Sequence, residues 1–425
     1  MKVLMLSYSD FNGGAARATF WLAKGLRDQG IDVELLVEQK VTDHYWVKTY
    51  NKSLCEKLFS KIEHKVLSLF RKNISSHWSL NLFSNKKLLE VILEINPDLI
   101  NIHWVGNSFL PFNVIKKFKK PLVWSLYDMW PLTAGCHYDN FCNKFINGCN
   151  NCPQINDSFG IVDKLYMYKL NSLRESKIHM ISPSRWLSDA ARNSRMCKDL
   201  NFEIDTIPHG TDLNIFKRID KKLAREILNI PIESKFLLFG SMSGVNDLRK
   251  GFQFLIPALK GLFDSGKFKD VKVLIFGESP PKKKVDIGFD IIYLGRVVDD
   301  IALKVIYSAA DLTITPSMQE AFGMTASESM ACGTPVVAFN IAGAKDVVDH
   351  KINGYLVEPF CVNDLMEGIS WGINSSQKEL SLSARIKCED KFNLEVVAKN
   401  YLHIFEMNMS KINGSVKSQL TNHNY

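Results

Sequence analysis

Two glutamates stand at the start of a predicted helix, where carboxylates and backbone N–H groups could bind one ligand together. Glu320 precedes the helix and Glu328 lies inside it, a little over one turn from its start. Carboxylates accept hydrogen bonds from sugar hydroxyls, and the N–H groups of a first helical turn attract anions. The pattern therefore offers contacts for hydroxyls and for phosphate side by side, as a nucleotide sugar requires. An acid at this position can also be a helix cap or a partner of the helix dipole.

The stretch around the two glutamates predicts the elements that position them. Residues 311–316 have an apolar strand pattern, and residues 324–332 have helical spacing. Gly333 ends this helix, and Pro335 prevents it from continuing. Residues 336–339 then read as a buried strand. The two acids are therefore predicted at a junction between a loop and a helix.

The same stretch resembles a known sequence motif. Glu-x-Phe-Gly-x-x-x-x-Glu, followed by Ala-x-Gly-x-Pro-Val-Val, is similar to the donor-site motif of retaining glycosyltransferases of family four, which have the two-Rossmann architecture called GT-B. The resemblance implies that Glu320 contacts the donor sugar and Glu328 the nucleotide ribose. The backbone N–H groups expected to meet the donor phosphates belong to Phe322, Gly323, Met324 and Thr325.

Cationic side chains follow the first strand of the predicted second domain. Arg249 and Lys250 lie in the loop between this strand and the next helix, where they could bind a diphosphate or simply be solvated. By resemblance, an Arg is expected directly after the strand and a Lys several residues later. Lys250 matches that Lys as a donor-binding and catalytic residue, as Glu320 does. Ser241 occupies the Arg position, so Arg249 is the suggested substitute, and the loop at Val297 is expected to meet the nucleobase.

The predicted first domain places further candidates at strand ends. Gly13 and Gly14 follow the first strand and either let the backbone approach a ligand or form a tight turn. His103, Tyr127 and Asp128 end later strands, at the edge where ligands bind in open α/β folds. The resemblance implies donor contact for Gly14, acceptor contact for Gly13 and Tyr127, and a catalytic role for Tyr127 and Asp128. His103 is assigned to the acceptor from its position at the end of its strand. Tyr127 stands where the family usually has a His, and its hydroxyl can donate a hydrogen bond.

Four cysteines lie within one short segment of the first domain. Cys136, Cys142, Cys149 and Cys152 have the spacing Cys-x5-Cys-x6-Cys-x2-Cys. Four thiols in this spacing suggest a tetrahedral structural zinc site, with an iron–sulfur cluster or ordinary reduced thiols as alternatives. The cysteine-rich insert, following Asp-x-Trp-Pro, is also similar to that of a subgroup of the family from bacterial exopolysaccharide and O-antigen assembly.

Composition narrows the class of protein. The 425 residues are 46% hydrophobic and 23% charged, as in folded globular proteins, and the net charge is +8. A net positive charge favours binding to nucleic acid, to an anionic membrane or to anionic substrates. No nucleic-acid recognition motif is present, so no nucleic-acid partner is expected. Residues 41–95 are basic and helical in pattern with scattered aromatics, and either rest on an anionic membrane or are packed helices with solvated lysines. No signal peptide or membrane span is recognised, so we expect a cytoplasmic protein, at or near the inner face of the cytoplasmic membrane.

Alternating strands and helices predict an α/β fold of two Rossmann-like, doubly wound domains facing a cleft. The first, 1–205, would bind the acceptor and carry the insert 136–152. The second, 206–392, would bind the nucleotide sugar. A helix at 393–410 would pack back across both domains.

These patterns and the resemblance predict a retaining glycosyltransferase that needs no catalytic metal. It would transfer a sugar from a UDP- or GDP-sugar to an oligosaccharide or lipid-linked glycan in bacterial surface polysaccharide biosynthesis. A non-catalytic nucleotide-sugar-binding protein of the same fold is the alternative interpretation, and an epimerase or phosphorylase is a third.

Overall fold

The computed structural model describes residues 1–70, 72, 77–83, 85–157, 160–240, 247–268, 270–277, 279–280 and 285–421, with side chains up to residue 411. The chain divides into two compact units, residues Met1–Pro208 with Glu395–Tyr425, and residues His209–Leu394. The sequence boundary expected at residue 205 lies close to this division, and the C-terminal helix is grouped with the first unit.

The first unit is built on a parallel sheet of seven strands in the described part of the chain. Their order across the sheet is β3-β2-β1-β4-β5-β6-β7. The strands are β1 (Lys2–Ser9), β2 (Asp32–Gln39), β3 (Val47–Thr49), β4 (Leu99–Ile102), β5 (Leu122–Ser125), β6 (Ile178–Ser182) and β7 (Glu203–Thr206). The order reverses at β1, so the segments that follow β1 and β4 emerge side by side at the carboxyl edge of the sheet.

Helices connect these strands. They are α1 (Gly14–Asp28), α2 (Leu54–Phe70), α3 (Lys86–Ile95), α4 (Phe112–Ile115), α5 (Ile161–Leu173), α6 (Arg185–Asn193), α7 (Arg195–Leu200) and, at the end of the chain, α15 (Leu394–Thr421). Strand β1 is almost entirely buried and reads as a continuous apolar run, as strands covered on both faces do.

The second unit has a parallel sheet of six strands among its described residues. Their order is β10-β9-β8-β11-β12-β13. The strands are β8 (Lys235–Gly240), β9 (Val271–Phe276), β10 (Asp290–Tyr293), β11 (Leu312–Thr315), β12 (Val336–Phe339) and β13 (Gly354–Val357). Alternate residues of β8 enter separate apolar clusters on the two faces of the sheet, Leu238 on one and Leu237 on the other.

The helices of this unit are α8 (Lys221–Ile227), α9 (Phe252–Asp264), α10 (Asp300–Ala309), α11 (Met324–Ala331), α12 (Ala344–Val347), α13 (Val362–Asn374) and α14 (Gln377–Lys391). None of the helices in the described part of the chain is both long enough and apolar enough to cross a membrane.

Two parallel sheets whose strands alternate with helices confirm the prediction of two doubly wound α/β units.

Several element predictions need correction. The region 41–95, expected to be helical, also contains the edge strand Val47–Thr49, which is too short to show a periodic pattern. Strand Glu203–Thr206 spans the domain boundary expected at residue 205, where the partly exposed side chains show no apolar strand pattern. The last helix, expected at 393–410, extends over Leu394–Thr421.

Candidate functional site

The carboxyl edge of the second sheet brings together the segments that the sequence singled out. The strand order of this unit reverses between β8 and β11, which are neighbours. Lys250 lies in the segment that follows β8, and Glu320 lies in the segment that follows β11. Residues of two distant motifs therefore meet at the reversal point, where open α/β sheets bind ligands.

Glu320 is the centre of an ion-pair cluster. Its Oε2 atom lies 2.7 Å from Lys250 Nζ and 3.2 Å from Arg249 Nη1. Arg249 also donates to the carbonyl oxygen of Gln319 at 2.8 Å and pairs with Asp247 Oδ2 at 3.1 Å. Burial raises the pKa of the Glu320 carboxyl, but the attraction of Lys250 and Arg249 outweighs burial and lowers it to about 2. Glu320 is therefore ionised at neutral pH, and both predicted cations are in place beside it.

A close backbone contact fixes the cationic segment. A Cβ atom added to Gly251 would lie 1.7 Å from the carbonyl oxygen of Pro316, and the φ angle of Gly251 is +76°. The amide of Met318 also donates to the carbonyl of Arg249 at 2.7 Å. Only glycine permits this approach and conformation together. The two segments are thus joined through their backbones directly beside the Lys250–Glu320 pair.

Glu328 lies deeper than Glu320. Its side chain is buried within α11, and Tyr307 donates a hydroxyl hydrogen bond to Glu328 Oε2 at 3.0 Å. Tyr307 is itself buried, so this carboxylate has a fixed position. The ribose contact assigned to Glu328 remains a prediction.

The start of α11 follows the predicted loop. Gly323 caps the helix with a φ angle of +108°, and its carbonyl accepts the amides of Ala326 and Ser327. Met324 and Thr325 occupy the first two helical positions. Phe322 is buried and packs edge-on against the ring of His209 at a centroid distance of 5.4 Å.

His209 is a site neighbour that the sequence reasoning missed. Burial lowers its pKa to about 3, although Glu320 attracts its protonated form. The imidazole is therefore neutral at pH 7. The sequence signal for His209 is its position between Pro208 and Gly210, in a segment of the form Pro-x-Gly-x-Asp.

Two further donor-site predictions have different outcomes. Ser241 lies outside the described residues. Val297 is partly buried and packs against the apolar core of the second unit, in the loop after β10. Its contact with a nucleobase remains a prediction.

The carboxyl edge of the first sheet brings together two of the predicted residues, His103 and Tyr127. Tyr127 Oη lies 3.1 Å from His103 Nδ1 and 3.0 Å from Thr19 Oγ1, which belongs to α1. Burial raises the pKa of Tyr127 well above its ordinary value, so the phenol keeps its proton and can donate. Gly13 precedes α1 with a φ angle of +103°, and Gly14 begins the helix. The helix that starts at the glycine loop therefore also reaches Tyr127.

Asp128 belongs to a buried hydrogen-bond network. Its carboxylate accepts from Trp104 Nε1 at 2.8 Å, from the amide of Trp130 at 2.9 Å and from His137 Nδ1 at 2.5 Å. The Nε2 atom of His137 lies 3.0 Å from Ser79 Oγ. Burial raises the pKa of Asp128, but His137 and the other donors lower it by more, so the net effect is a lower pKa. These contacts fix the loop after β5. His137 lies in the cysteine-rich segment but was not among the predicted site residues.

The four predicted ligand cysteines lie around one small pocket in the first unit. Their thiols are not in disulfides. As the side chains stand, no group of three or more His, Cys, Asp or Glu in the described part of the chain could hold a metal ion. The segment thus brings the four residues together without forming a closed ligand set.

Known proteins share this architecture. Residues 233–374 match the family model described as Glycosyl transferases group 1. The solved sucrose-phosphate synthase of Thermosynechococcus elongatus has a TM-score of 0.70 to this chain, at 18% identity, covering 97% of this chain and 100% of that one. Anabaena HepE, solved in complex with UDP-glucose, has a TM-score of 0.65 at 18% identity, covering 96% and 100%. The two α/β units therefore have the GT-B fold.

Sequence similarity to curated proteins is confined to part of the chain. A D-inositol 3-phosphate glycosyltransferase of Streptosporangium roseum is 30% identical over 167 residues, which are 36% of this chain and 38% of that protein. The chain spans less than half the length of the first curated relatives that it matches. The described ion-pair cluster at Glu320 falls within the segment that matches the family model.

Proposed function

We propose that the protein is a retaining glycosyltransferase that uses a nucleotide-sugar donor. The observation that carries this proposal is the meeting of Lys250, Arg249 and Glu320 at the reversal point of the second sheet. Two cations that each lie within hydrogen-bond distance of one carboxylate suit a diphosphate joined to a sugar, because cations bind phosphate and carboxylates accept sugar hydroxyls. The match of residues 233–374 to glycosyl transferases group 1 supports the same assignment.

The transfer breaks the bond between the anomeric carbon and the diphosphate oxygen, and forms a bond from that carbon to the acceptor oxygen on the same face. The acceptor proton passes to the departing diphosphate, so no protein base is required. Negative charge grows on the leaving group, and fixed cations aimed at it lower the barrier. Lys250 and Arg249 supply this charge, and Glu320 orients the sugar. The reaction therefore needs no catalytic metal.

The acceptor is assigned to the first unit. Tyr127 keeps its proton and lies beside His103 and the helix that begins at the glycine loop. A protonated phenol can hydrogen-bond to a sugar or phosphate oxygen. We further propose that the acceptor is a lipid-linked glycan of bacterial surface polysaccharide assembly, supported by the similarity of the cysteine-rich insert to enzymes of that kind.

A nucleotide-sugar panel tests the proposed function. One UDP- or GDP-sugar should raise the melting temperature, because a ligand that binds only the folded state stabilises it. The same donor should release its nucleoside diphosphate when an oligosaccharide or lipid-linked acceptor is present. Binding without release would favour a non-catalytic nucleotide-sugar-binding protein, and no stabilisation by any member would contradict the donor assignment. A rearranged or phosphorolysed product would identify an epimerase or phosphorylase.

Glu328→Ala should weaken binding of the nucleoside diphosphate by about 1.5–3 kcal/mol, typical of a hydrogen bond to a charged group. The carboxylate is fixed by Tyr307 and would accept the ribose hydroxyls. Calorimetry on wild type, Glu328→Ala and Glu328→Gln measures the difference. Equal affinity in a folded Ala variant, judged by its melting temperature, would remove Glu328 from the donor site.

Helix α2 supports a membrane-bound acceptor, because its apolar residues point outward. Leu54, Leu58 and Leu69 are 85%, 58% and 74% exposed. Glu63 instead faces the protein, where its carboxylate accepts the amides of Asn81 and Leu82 at 2.7 and 3.1 Å. An ordinary surface helix has the reverse arrangement.

Lysines complete this face of α2. Lys57, Lys61 and Lys65 recur at every fourth position and are exposed, so they form a row beside the apolar stripe. Apolar side chains flanked by lysines are typical of helices that lie on anionic lipid surfaces. We therefore propose that α2 contacts an anionic membrane.

Vesicle flotation tests the α2 contact. The protein should bind phosphatidylcholine vesicles that contain phosphatidylglycerol, and less so at high salt, because lysine–lipid attraction is screened. The double variant Leu58→Asp, Leu69→Asp should lose this binding. Leu382→Asp is the matched control, since Leu382 is 61% exposed in the second unit. Binding that is independent of anionic lipid, or unchanged in the double variant, would contradict the proposal.

A further inference from the structure

The four cysteines predicted as ligands share one small pocket of the first unit. Cys136, Cys142, Cys149 and Cys152 all line it, and none of the four is in a disulfide. A bound cation is the usual way to hold several thiolates in one place.

Backbone N–H groups point at three of these sulfurs. The Cys142 sulfur faces the amide of Lys144, and the Cys149 sulfur faces that of Ala134. The amide of Gln154 lies 3.4 Å from the Cys152 sulfur. A thiol is a weak acceptor, but hydrogen bonds to a thiolate favour the ionised form. These N–H groups would therefore favour ionised sulfur once a cation is bound.

A buried cation lies beside the same pocket. Lys169 is 1% exposed, and its ammonium donates to the carbonyls of Trp130 and Thr133 at 2.6 and 2.7 Å. Thr133 also lines the cysteine pocket, so the Lys169 side chain reaches the edge of that pocket. An isolated buried ammonium is costly, whereas four thiolates around a divalent cation carry two net negative charges that an ammonium offsets.

We propose that Cys136, Cys142, Cys149 and Cys152 bind one Zn²⁺ as thiolates, with Lys169 as the counter-cation of the site. Binding releases four thiol protons to solvent and leaves a zinc–tetrathiolate of charge −2. The sulfur atoms must turn toward a common point, since no ligand set is closed as they stand. Each does so by rotation about its side-chain torsion.

The proposed metal is structural. Residues 133–157 contain little regular structure, and Cys149 and Asn151 have positive φ angles of 53° and 45°. Because the four ligands are held close together only in the folded chain, the free energy of zinc binding stabilises the fold. The segment also carries His137, which holds Asp128.

Elemental analysis of protein purified without a polyhistidine tag should find about one zinc per chain. Cobalt added to the metal-depleted protein should give the visible absorption of tetrahedral cobalt–thiolate. Cys149→Ser and Cys152→Ser should lose both signals, whereas Cys55→Ser should keep them, because Cys55 is exposed and far along the chain. Wild-type protein that is folded but binds neither metal would overturn the proposal. So would a mass spectrum with a disulfide between two of the four cysteines.

Lys169→Met tests the counter-cation. Zinc affinity, measured by competition with a chelator, should fall on the order of tenfold, the effect of losing one nearby opposite charge. Lys164→Met on the same helix is the matched control, because Lys164 is exposed. Equal affinity in the two variants would remove Lys169 from the site. If Lys169→Met fails to fold, Lys169→Arg, which keeps the charge, should retain wild-type zinc content, and loss of zinc there would contradict the assignment.

Discussion

Lys250→Ala should lower kcat/KM on the order of 10²-fold or more, by analogy with loss of one electrostatic donor to a developing anion. The ammonium lies 2.7 Å from Glu320, within reach of a diphosphate bound beside the same carboxylate. It is the residue best placed to meet charge that grows on the leaving group. Steady-state kinetics with the donor identified by thermal shift gives the measurement.

Lys250→Arg should restore activity only in part, because a planar fork and a point charge differ in geometry. The side chain of Lys250 is 21% exposed and ion-paired, so its replacement can also change the stability of the fold. A melting temperature is therefore needed beside the kinetics. Near-normal turnover in a folded Ala variant would show that Arg249, and not Lys250, contacts the phosphate.

Glu320→Gln should lower kcat strongly while the affinity for the nucleoside diphosphate stays equal or rises. The carboxylate is expected to touch the sugar, and an interaction that strengthens in the transition state appears in kcat. The change also releases Lys250 and Arg249 from their shared partner, which favours binding of an anion. Parallel kinetics and calorimetry separate the two effects. Normal turnover with weaker diphosphate binding would show that the roles of Glu320 and Glu328 are exchanged.

The pKa of Glu320 sets a pH window for this ion-pair cluster. Its folded-state pKa of about 2 is lower than that of an ordinary glutamate, near 4.5. The stability that it contributes is therefore complete above pH 4.5 and is lost as the pH falls toward 2. Wild type should lose more stability than Glu320→Gln across that interval, as chemical denaturation at several pH values would measure.

The sequence predicted the donor-site elements well because glycine, proline and apolar periodicity are local signals. Helix α11 and strand β12 lie where Gly333 and Pro335 placed them. The ion pair of Lys250 with Glu320 joins residues 70 positions apart, so only the strand order could reveal it. The family resemblance assigned both residues to the donor site, but it did not predict that they pair.

The contacts of the cysteine-rich segment and the orientation of α2 could not be predicted from local sequence patterns. The bond between His137 and Asp128 depends on how the cysteine-rich segment folds over the strand end. The outward apolar face of α2 could not be told from an inward one, because helical periodicity does not say which side meets the core. Burial of Glu63 decides that orientation.

The ion pairs at Glu320 also bear on the rate at which the donor arrives. Lys250 and Arg249 are matched by Glu320 and Asp247, so these four side chains together carry no net charge. Distant anions respond to net charge, whereas bound ones respond to individual contacts. Association of the nucleotide sugar with these side chains should therefore depend only weakly on ionic strength, and most of the discrimination between donors should appear in the dissociation rate.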